Sequence, residues 1–518
     1  MRRRLAGISA VAFVASIGIF AISLFVPLDR ELFSPALVTS LRMYDKHGTL
    51  LREVLSSDEG KGRWCELADI SPHVTEAVLA TEDSRFYQHP GVDPLAMSRA
   101  MWQNIRAGRV ISGGSTLTMQ VIRNVFRPKR TFAEKLREAW YALRLERMMS
   151  KEEILVQYVN RVSFGNQTSG IDAAARVYFG KPAKQLSLAE AAFLVAIPNS
   201  PTLNDPYRKF ERVRHRQLYV LGRMKFAGFI SEEERERAEH EPLVLVPRSA
   251  RFKAPHLTTM ILNRLSGKEK TRITEIHTTI DLNVQKSAEL LLQAHLALLK
   301  KHAITNGAIV VIDNTTHQLT ALVGSVDFFD TTAGGQVNGA LALRQPGSTL
   351  KPFTYGVALE HGMTAADLLA DVPRMYGDGD VDFLPENYDK KYHGPVRLRT
   401  ALACSYNVPA VRTVERFGSE LLLKTLQSAG FSSLNQTPSF YGAGLTLGNG
   451  EVSLLELASA YSMLATGGQF NSVRFVDSIK RLDGHLERLN EVKAHHPVLS
   501  EQVAYILTDI LSAQRHVR

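Results

Sequence analysis

The sequence predicts a multidomain chain: an N-terminal transmembrane helix, then a mainly α domain, then an α/β domain. Three observations carry this. Leu5 to Leu28 is a run of 24 residues without a charge. From about Ile70 to Ala238 apolar residues recur three and four apart, the period of a helix. From "EIHTTIDLNVQ" onward the pattern changes. "GAIVVIDNTTHQLTALVGS" (Gly307–Ser325) alternates β-branched residues around an Asn-containing turn, as a hairpin does. At 518 residues the chain is too long for one ordinary domain.

The first element is justified by length and flanking charge. At ~1.5 Å per residue, a helix over Leu5–Leu28 spans the ~30 Å hydrocarbon core with slight tilt. Arg2, Arg3 and Arg4 precede it and hold the N-terminus on the cytoplasmic side. A cleaved signal peptide would have a shorter apolar run ending at small residues; this one ends in "LFVPLDRELF". An uncleaved anchor over residues 1–30 follows, with the remainder outside the cytoplasm. Net charge is +10 and the pI about 9.4, which points to an anionic partner. Outside the cytoplasm that partner is a membrane surface or a phosphate-bearing substrate; no nucleic acid is expected. The two cysteines, Cys65 and Cys404, form neither a disulfide framework nor a zinc site.

Residues 30–70 are short and strand-like. In the helical region, glycines and prolines cluster in "HPGVDP", "RVISGGST", "FGNQTSG" and "PNSPTLNDP", which read as loops. Between Glu239 and Glu275 the chain becomes basic and Pro-containing, as a connector does.

Two constellations carry chemistry. Glu82 and Asp83 are adjacent acids at an otherwise apolar helix end; alone, such a pair is ordinarily a solvated terminus. Then "SGGSTLTMQ" sets a flexible Gly-Gly loop before the hydroxyls of Ser115 and Thr116, with Gln120 at helical spacing. Arg123 to Arg147 carries eight basic residues against three acids, an excess that suits a pyrophosphate as well as a solvated face. Lys135 and Glu138, three apart, share one helix face. Two carboxylates in different settings are what acid/base chemistry at a sugar C1 requires.

"EDSRFYQHPG", "GGSTLTMQ", "KLREA", "KEEILVQYVNRVSFG", "GIDAAARVYFGK" and "LSLAEAAFLVAIPNSPTLNDP" occur in this order. Together they closely resemble the lysozyme-like glycosyltransferase domain of class A penicillin-binding proteins, over about Arg42 to Arg214. The resemblance implies a peptidoglycan polymerase acting on lipid II and the nascent glycan chain at the outer face of the inner membrane. It implies that Glu82 is the general base for the acceptor 4-hydroxyl, with inversion at C1 and release of undecaprenyl pyrophosphate. Glu138 is then the second carboxylate, acting with Lys135 near the pyrophosphate. Asp83, Phe86 and His89 shape the first loop. Ser115, Thr116 and Gln120 form the donor-side motif, with Met119 where a second Gln is commoner. Exposed apolar residues between Val110 and Phe132 are expected to dip into the bilayer. No cofactor is implied; a divalent metal at the pyrophosphate stays open.

The second constellation is "LRQPGSTLKPF". Pro346-Gly347 starts a helix at Ser348, and Lys351 lies one turn along. Ser405-Tyr406-Asn407 follows 57 residues later. These resemble the Ser-x-x-Lys and Ser-x-Asn motifs of the serine transpeptidase/β-lactamase-like penicillin-binding fold. The resemblance implies a nucleophile at Ser348, a base at Lys351, substrate contacts at Ser405 and Asn407, and β-lactam binding at Ser348. The third motif, Lys-Thr-Gly, is not found: Lys424-Thr425 runs into Leu426, and Thr466 has no Lys before it. The expected organisation is therefore an anchor (1–30), a glycosyltransferase domain (42–214), a linker (215–300) and a C-terminally truncated, incomplete transpeptidase domain (301–518). Its acylating activity is in doubt and one sheet edge is expected to be unpaired. The alternatives are a bifunctional enzyme that still acylates at Ser348, and a non-catalytic cell-wall scaffold.

Overall fold

The computed structural model describes residues 22–56, 60–108, 114–129, 131–247, 252–375, 384–489 and 495–512. The expected anchor lies mostly outside the described residues, as does the loop 109–113. Among the described residues, no helix is long and apolar enough to cross a membrane. The chain divides into two compact units. One is Met1–Arg42, Glu53–Arg251 and Gly267–Thr274; the other is Met43–Arg52, Phe252–Ser266 and Glu275–Arg518.

The first unit is mainly helical. Helix Pro72–Glu82 starts on a proline, which loses nothing at a position whose amide has no helical acceptor. It buries Val74, Ala77, Val78 and Ala80 and packs on helices Leu188–Val195 and Phe210–Phe226. Helix Leu117–Phe126 buries Leu117, Met119, Val121 and Ile122, and packs on Phe132–Met148 and Lys151–Arg161. Each large apolar side chain so buried contributes about 1.5–3 kcal/mol. Capping boxes at Ser150/Glu153, Ser187/Glu190 and Ser231/Glu234 fix three helix starts.

The stretch 215–300, read as a linker, is instead largely ordered structure. It holds the end of helix Phe210–Phe226, helices Glu232–His240, Pro255–Arg264 and Leu282–Leu299, and strand Ile273–Thr278. Val213, Val220, Leu221 and Met224 are all fully buried, so the first unit continues past Arg214. Their helical spacing continues the period that the sequence shows from about Ile70 to Ala238.

The second unit is α/β. It contains most residues of a five-stranded sheet in the order Leu486–Arg488, Val476–Arg481, Ile273–Thr278, Leu41–Tyr44, Leu50–Val54. The expected hairpin is present: Ile309–Asp313 pairs antiparallel with Gln318–Val323, with an irregularity between Val311 and Ile312. Among the described residues this sheet stays two-stranded. Ser348 lies in a short 3-10 turn, Gly347–Leu350, and the α-helix begins at Lys351. That helix, Lys351–Glu360, is buried from Lys351 to Leu359. It packs on Asn407–Phe417, Ser419–Ser428 and Glu501–Ser512, at the centre of this unit's core.

Gly91 sets the loop of "QHPG" against helix Phe132–Met148. Its φ is +94°, and a Cβ there would stand 2.8 Å from the Ala142 carbonyl oxygen. Gly91→Ala therefore meets both backbone strain and a clash with main chain. A loss of about 2–4 kcal/mol is expected, read by denaturant unfolding of the first unit's helical signal; an unchanged midpoint would remove this close approach from the account.

Candidate active sites

In the first unit, one helix holds both carboxylates. Glu82 is the last residue of helix Pro72–Glu82 and is half-buried. Its Oε2 accepts from Gln120 Nε2 at 3.0 Å. One turn along the same helix, Arg123 donates Nε and Nη2 to the two oxygens of Glu138 at 2.9 and 2.6 Å. Arg123 Nη2 also reaches Ser115 Oγ at 3.1 Å. Glu138 is only 6% exposed, and this bidentate pair supplies its hydrogen bonds and countercharge. The carboxylate in turn raises the guanidinium's pKa, chiefly through the hydrogen bond. Lys135, expected to act with Glu138, is half-buried and forms no ion pair among the described residues.

The loop residues support this arrangement. His89 Nε2 lies 3.0 and 3.1 Å from the two oxygens of Asp83, and Gly91 N–H donates to His89 Nδ1. With Nδ1 accepting, Nε2 is the ring donor. Asp83 Oδ2 also accepts from Leu117 N–H, tying the loop to the helix that carries Gln120 and Arg123. Thr116 caps that helix by accepting from Met119 N–H, and donates to the Gly91 carbonyl at 2.6 Å. Phe86 is fully buried with Lys151 Nζ 4.4 Å above its ring; Lys151 also bonds the His89 carbonyl and Glu146. Met119, where a polar residue was the commoner expectation, points into the core and is fully buried. Asp83, His89 and Asp93 bring three ligand-type atoms within 4.8 Å of one another. Those atoms are engaged inside the protein: Asp93 caps helix Pro94–Ala107 and pairs with Arg85. The trio reads as loop scaffolding.

A cavity of about 370 Å³ adjoins the carboxylate helix. It is lined by Arg123, Asn124, Arg127, Arg161, Ser163, Gln167 and Ser169, with Val38 and Gly60. Asn166 and Gln167 take left-handed φ values of 51° and 55°, and Asn166 is anchored to Tyr178 and Asp205. Three guanidinium groups give the cavity a cationic lining; Arg123 is also engaged by Glu138, and the buried Arg161 donates to Gln157 Oε1 and the Ser34 carbonyl. Sequence reading had Arg123 and Arg127 only as members of a basic stretch and did not reach Asn124 or Arg161. The available signal was spacing: Arg123 follows Gln120 by three, hence on the same face.

In the second unit, Lys351 is fully buried. Its Nζ donates to the Ser405 carbonyl at 2.5 Å, Ser405 Oγ at 3.2 Å and Asn407 Oδ1 at 2.6 Å. Burial lowers its pKa to about 8. Ser405 holds a left-handed φ of 55° to present both oxygens. The structure thus brings Lys351, Ser405 and Asn407 together. Ser348 lies exposed one turn before, and its hydroxyl makes no hydrogen bond among the described residues.

Known proteins match along both sites. A transglycosylase family model matches residues 47–225, and a penicillin binding protein transpeptidase domain model matches 307–517. Penicillin-binding protein 1C of Escherichia coli is 36% identical over 509 residues, covering 98% of this chain and 62% of that protein. Penicillin-binding protein 1A of Aquifex aeolicus is 30% identical, covering 99% of this chain and 82% of that protein. Penicillin-binding protein 4 of Bacillus subtilis is 30% identical, at 88% and 77%. The fold is similar to the crystal structure of penicillin-binding protein 1A from Haemophilus influenzae, with a TM-score of 0.59 at 21% identity, over 91% of this chain and 79% of that one. Relatives that align along nearly all of this chain, together with the two domain models, lead to one conclusion: the chain belongs to the class A penicillin-binding proteins.

Proposed function

We propose that this protein polymerises lipid II into peptidoglycan glycan strands, held by its N-terminal segment in the inner membrane with both units on the periplasmic side. The observation that carries the reading is the pairing of Gln120 with Glu82 and of Arg123 with Glu138 beside a three-arginine cavity. Glu82 has one oxygen engaged by a neutral amide, which leaves Oε1 to take the proton of the acceptor 4-hydroxyl. The oxygen then attacks C1 of the growing chain from the face opposite the leaving group, so the configuration inverts. The undecaprenyl pyrophosphate departs with its bonding pair. Arg123, Arg127 and Arg161 balance the charge that develops there.

Glu82→Gln keeps the contact with Gln120 and removes the base. Detergent-solubilised protein carrying it is expected to form no glycan from lipid II on a polymer gel, while retaining its melting temperature. Undiminished polymer would sink the assignment. Arg123→Ala removes a cation from the cavity and leaves Glu138 buried without its partner. A fall in kcat/KM of about 10–100-fold is expected, larger than for Arg123→Lys, which keeps the charge but loses the fork.

A second reading concerns Ser348. The assembled Lys351, Ser405 and Asn407 group favours acylation by a β-lactam. Ser348 Oγ attacks the ring carbonyl, Lys351 takes the hydroxyl proton, and the C–N bond opens with the nitrogen taking up a proton. The base form of Lys351 is needed. Because burial lowers its pKa to about 8, that form grows as pH rises through 8 rather than through the ordinary lysine range. Labelling of Ser348 by a fluorescent penicillin is expected to accelerate about tenfold from pH 7 to pH 9, corrected for reagent hydrolysis. A rate flat over that range would separate Lys351 from the proton transfer.

A further inference from the structure

The Lys351 group is held in place by residues that the sequence motifs do not contain. Asp371 ends strand Leu368–Asp371 and is fully buried. Its carboxylate accepts Asn387 Nδ2 at 2.9 and 2.8 Å, and both His393 N–H and His393 Nδ1, at 3.0 and 2.8 Å. Asn387, itself 2% exposed, turns its Oδ1 to the amides of Asn407 at 2.8 Å and Val408 at 3.4 Å. Helix Asn407–Phe417 has no cap from its own N-cap residue, Tyr406. Asn387 supplies that cap from 20 residues upstream.

The cap anchors the backbone of Asn407, and the Glu386 carbonyl orients its side chain. Its Nδ2 donates to the Glu386 carbonyl at 2.7 Å, so its Oδ1 is the atom presented to Lys351 Nζ at 2.6 Å. His393 adds a second clamp: its ring stacks on Tyr406 at 4.2 Å and 15°, and its Nε2 meets Asp389 at 3.1 Å. An unbroken line of hydrogen bonds thus runs from Asp371 through Asn387 and Asn407 to Lys351.

We infer that Asp371, Asn387 and His393 are positioning residues for the acylation site, holding Asn407 and the Ser405 turn so that Lys351 is aimed as the base for Ser348. The ammonium form has three N–H groups for three acceptors. When it loses a proton, the two acceptor-only oxygens, the Ser405 carbonyl and Asn407 Oδ1, retain the two N–H groups, and the lone pair is left toward the Ser405 hydroxyl, the one partner able to donate. Without the Asn387 cap, the Asn407 amide loses its anchor, and the side chain that this backbone carries to Lys351 is no longer held in register. The inference rests on the acylation reading above, and the test separates the two.

The measurement is the time course of labelling by a fluorescent penicillin on the full detergent-solubilised chain, with Ser348→Ala as the blank. Asn387→Ala removes the cap and one clamp on Asp371. His393→Phe keeps a ring against Tyr406 but removes the Nδ1 donor, and serves if the first variant does not fold. Each is expected to label about tenfold more slowly while reaching the parent's labelled fraction at saturation. A merely structural role would lower the labelled fraction and leave the rate of the labelled molecules unchanged, and would overturn the inference. Parent-like rates in both variants would overturn it as well. No Ser348-dependent labelling of the parent overturns the acylation reading itself.

Discussion

The first unit depends on the turn between Gln120 and Arg123. Three residues apart on helix Leu117–Phe126, they hold Glu82 and Glu138, which come from two other helices. Helical geometry sets the spacing, and the apolar face of the same helix sets its rotation. Leu117, Met119, Val121 and Ile122 are buried on one side, which leaves Gln120 and Arg123 on the other. Rotating the helix would release both carboxylates and expose four core side chains. Its start is fixed just as closely, because Thr116 caps it while bonding the Gly91 carbonyl and Asp83 accepts the Leu117 amide. Hydrophobic packing and site chemistry are therefore one constraint here.

The second unit solves the opposite electrostatic problem. Glu138 is buried with a full countercharge, and a buried carboxylate stripped of its partner would cost several kcal/mol. Lys351 is buried against neutral oxygens only, the Ser405 carbonyl, Ser405 Oγ and Asn407 Oδ1. Dipoles satisfy the N–H groups but compensate the charge incompletely, so burial moves the ammonium toward the neutral amine. The nearest buried carboxylate of the network, Asp371, acts through Asn387 and Asn407 instead of touching the lysine. An amide interposed between acid and base transmits orientation without restoring the countercharge.

Much of this was legible in sequence, and the failures have physical causes. The period change near Glu275 and the hairpin over Ile309–Val323 were readable because alternation of β-branched residues is local. Glu82, Gln120, Lys351 and Asn407 were found because their motifs are short and contiguous. The helical period reads as far as Ala238, past the domain boundary expected at Arg214, and helix Pro255–Arg264 was missed because it lies in the basic, Pro-containing stretch that reads as a connector. The inclusion of Met43–Arg52 in the second unit was not legible, since strand pairing across more than 200 residues leaves no local trace. Asn387 was missed for the same reason: a cap donated from another segment looks like any asparagine in a loop. The bidentate pairing of Glu138 with Arg123 was missed because i,i+3 spacing shows only which groups can meet on one helix. It does not show that a guanidinium from a neighbouring helix can fill the carboxylate first.

That pairing decides how the two carboxylates divide the work. A carboxylate whose oxygens both accept from one guanidinium has its lone pairs already directed, so it offers no open position to an incoming hydroxyl. Glu138 is in that state, and its effect is exerted on Arg123, whose fork it keeps at the edge of the arginine-lined cavity. Glu82 is in the other state: half-buried, with a single neutral donor on one oxygen. It can gain a proton without breaking an ion pair. The asymmetry arises because Gln120 and Arg123 differ by one charge at neighbouring positions of one helix face. In the proposed reaction this puts the base at Glu82 and assigns Glu138 to holding the cation that meets the departing pyrophosphate.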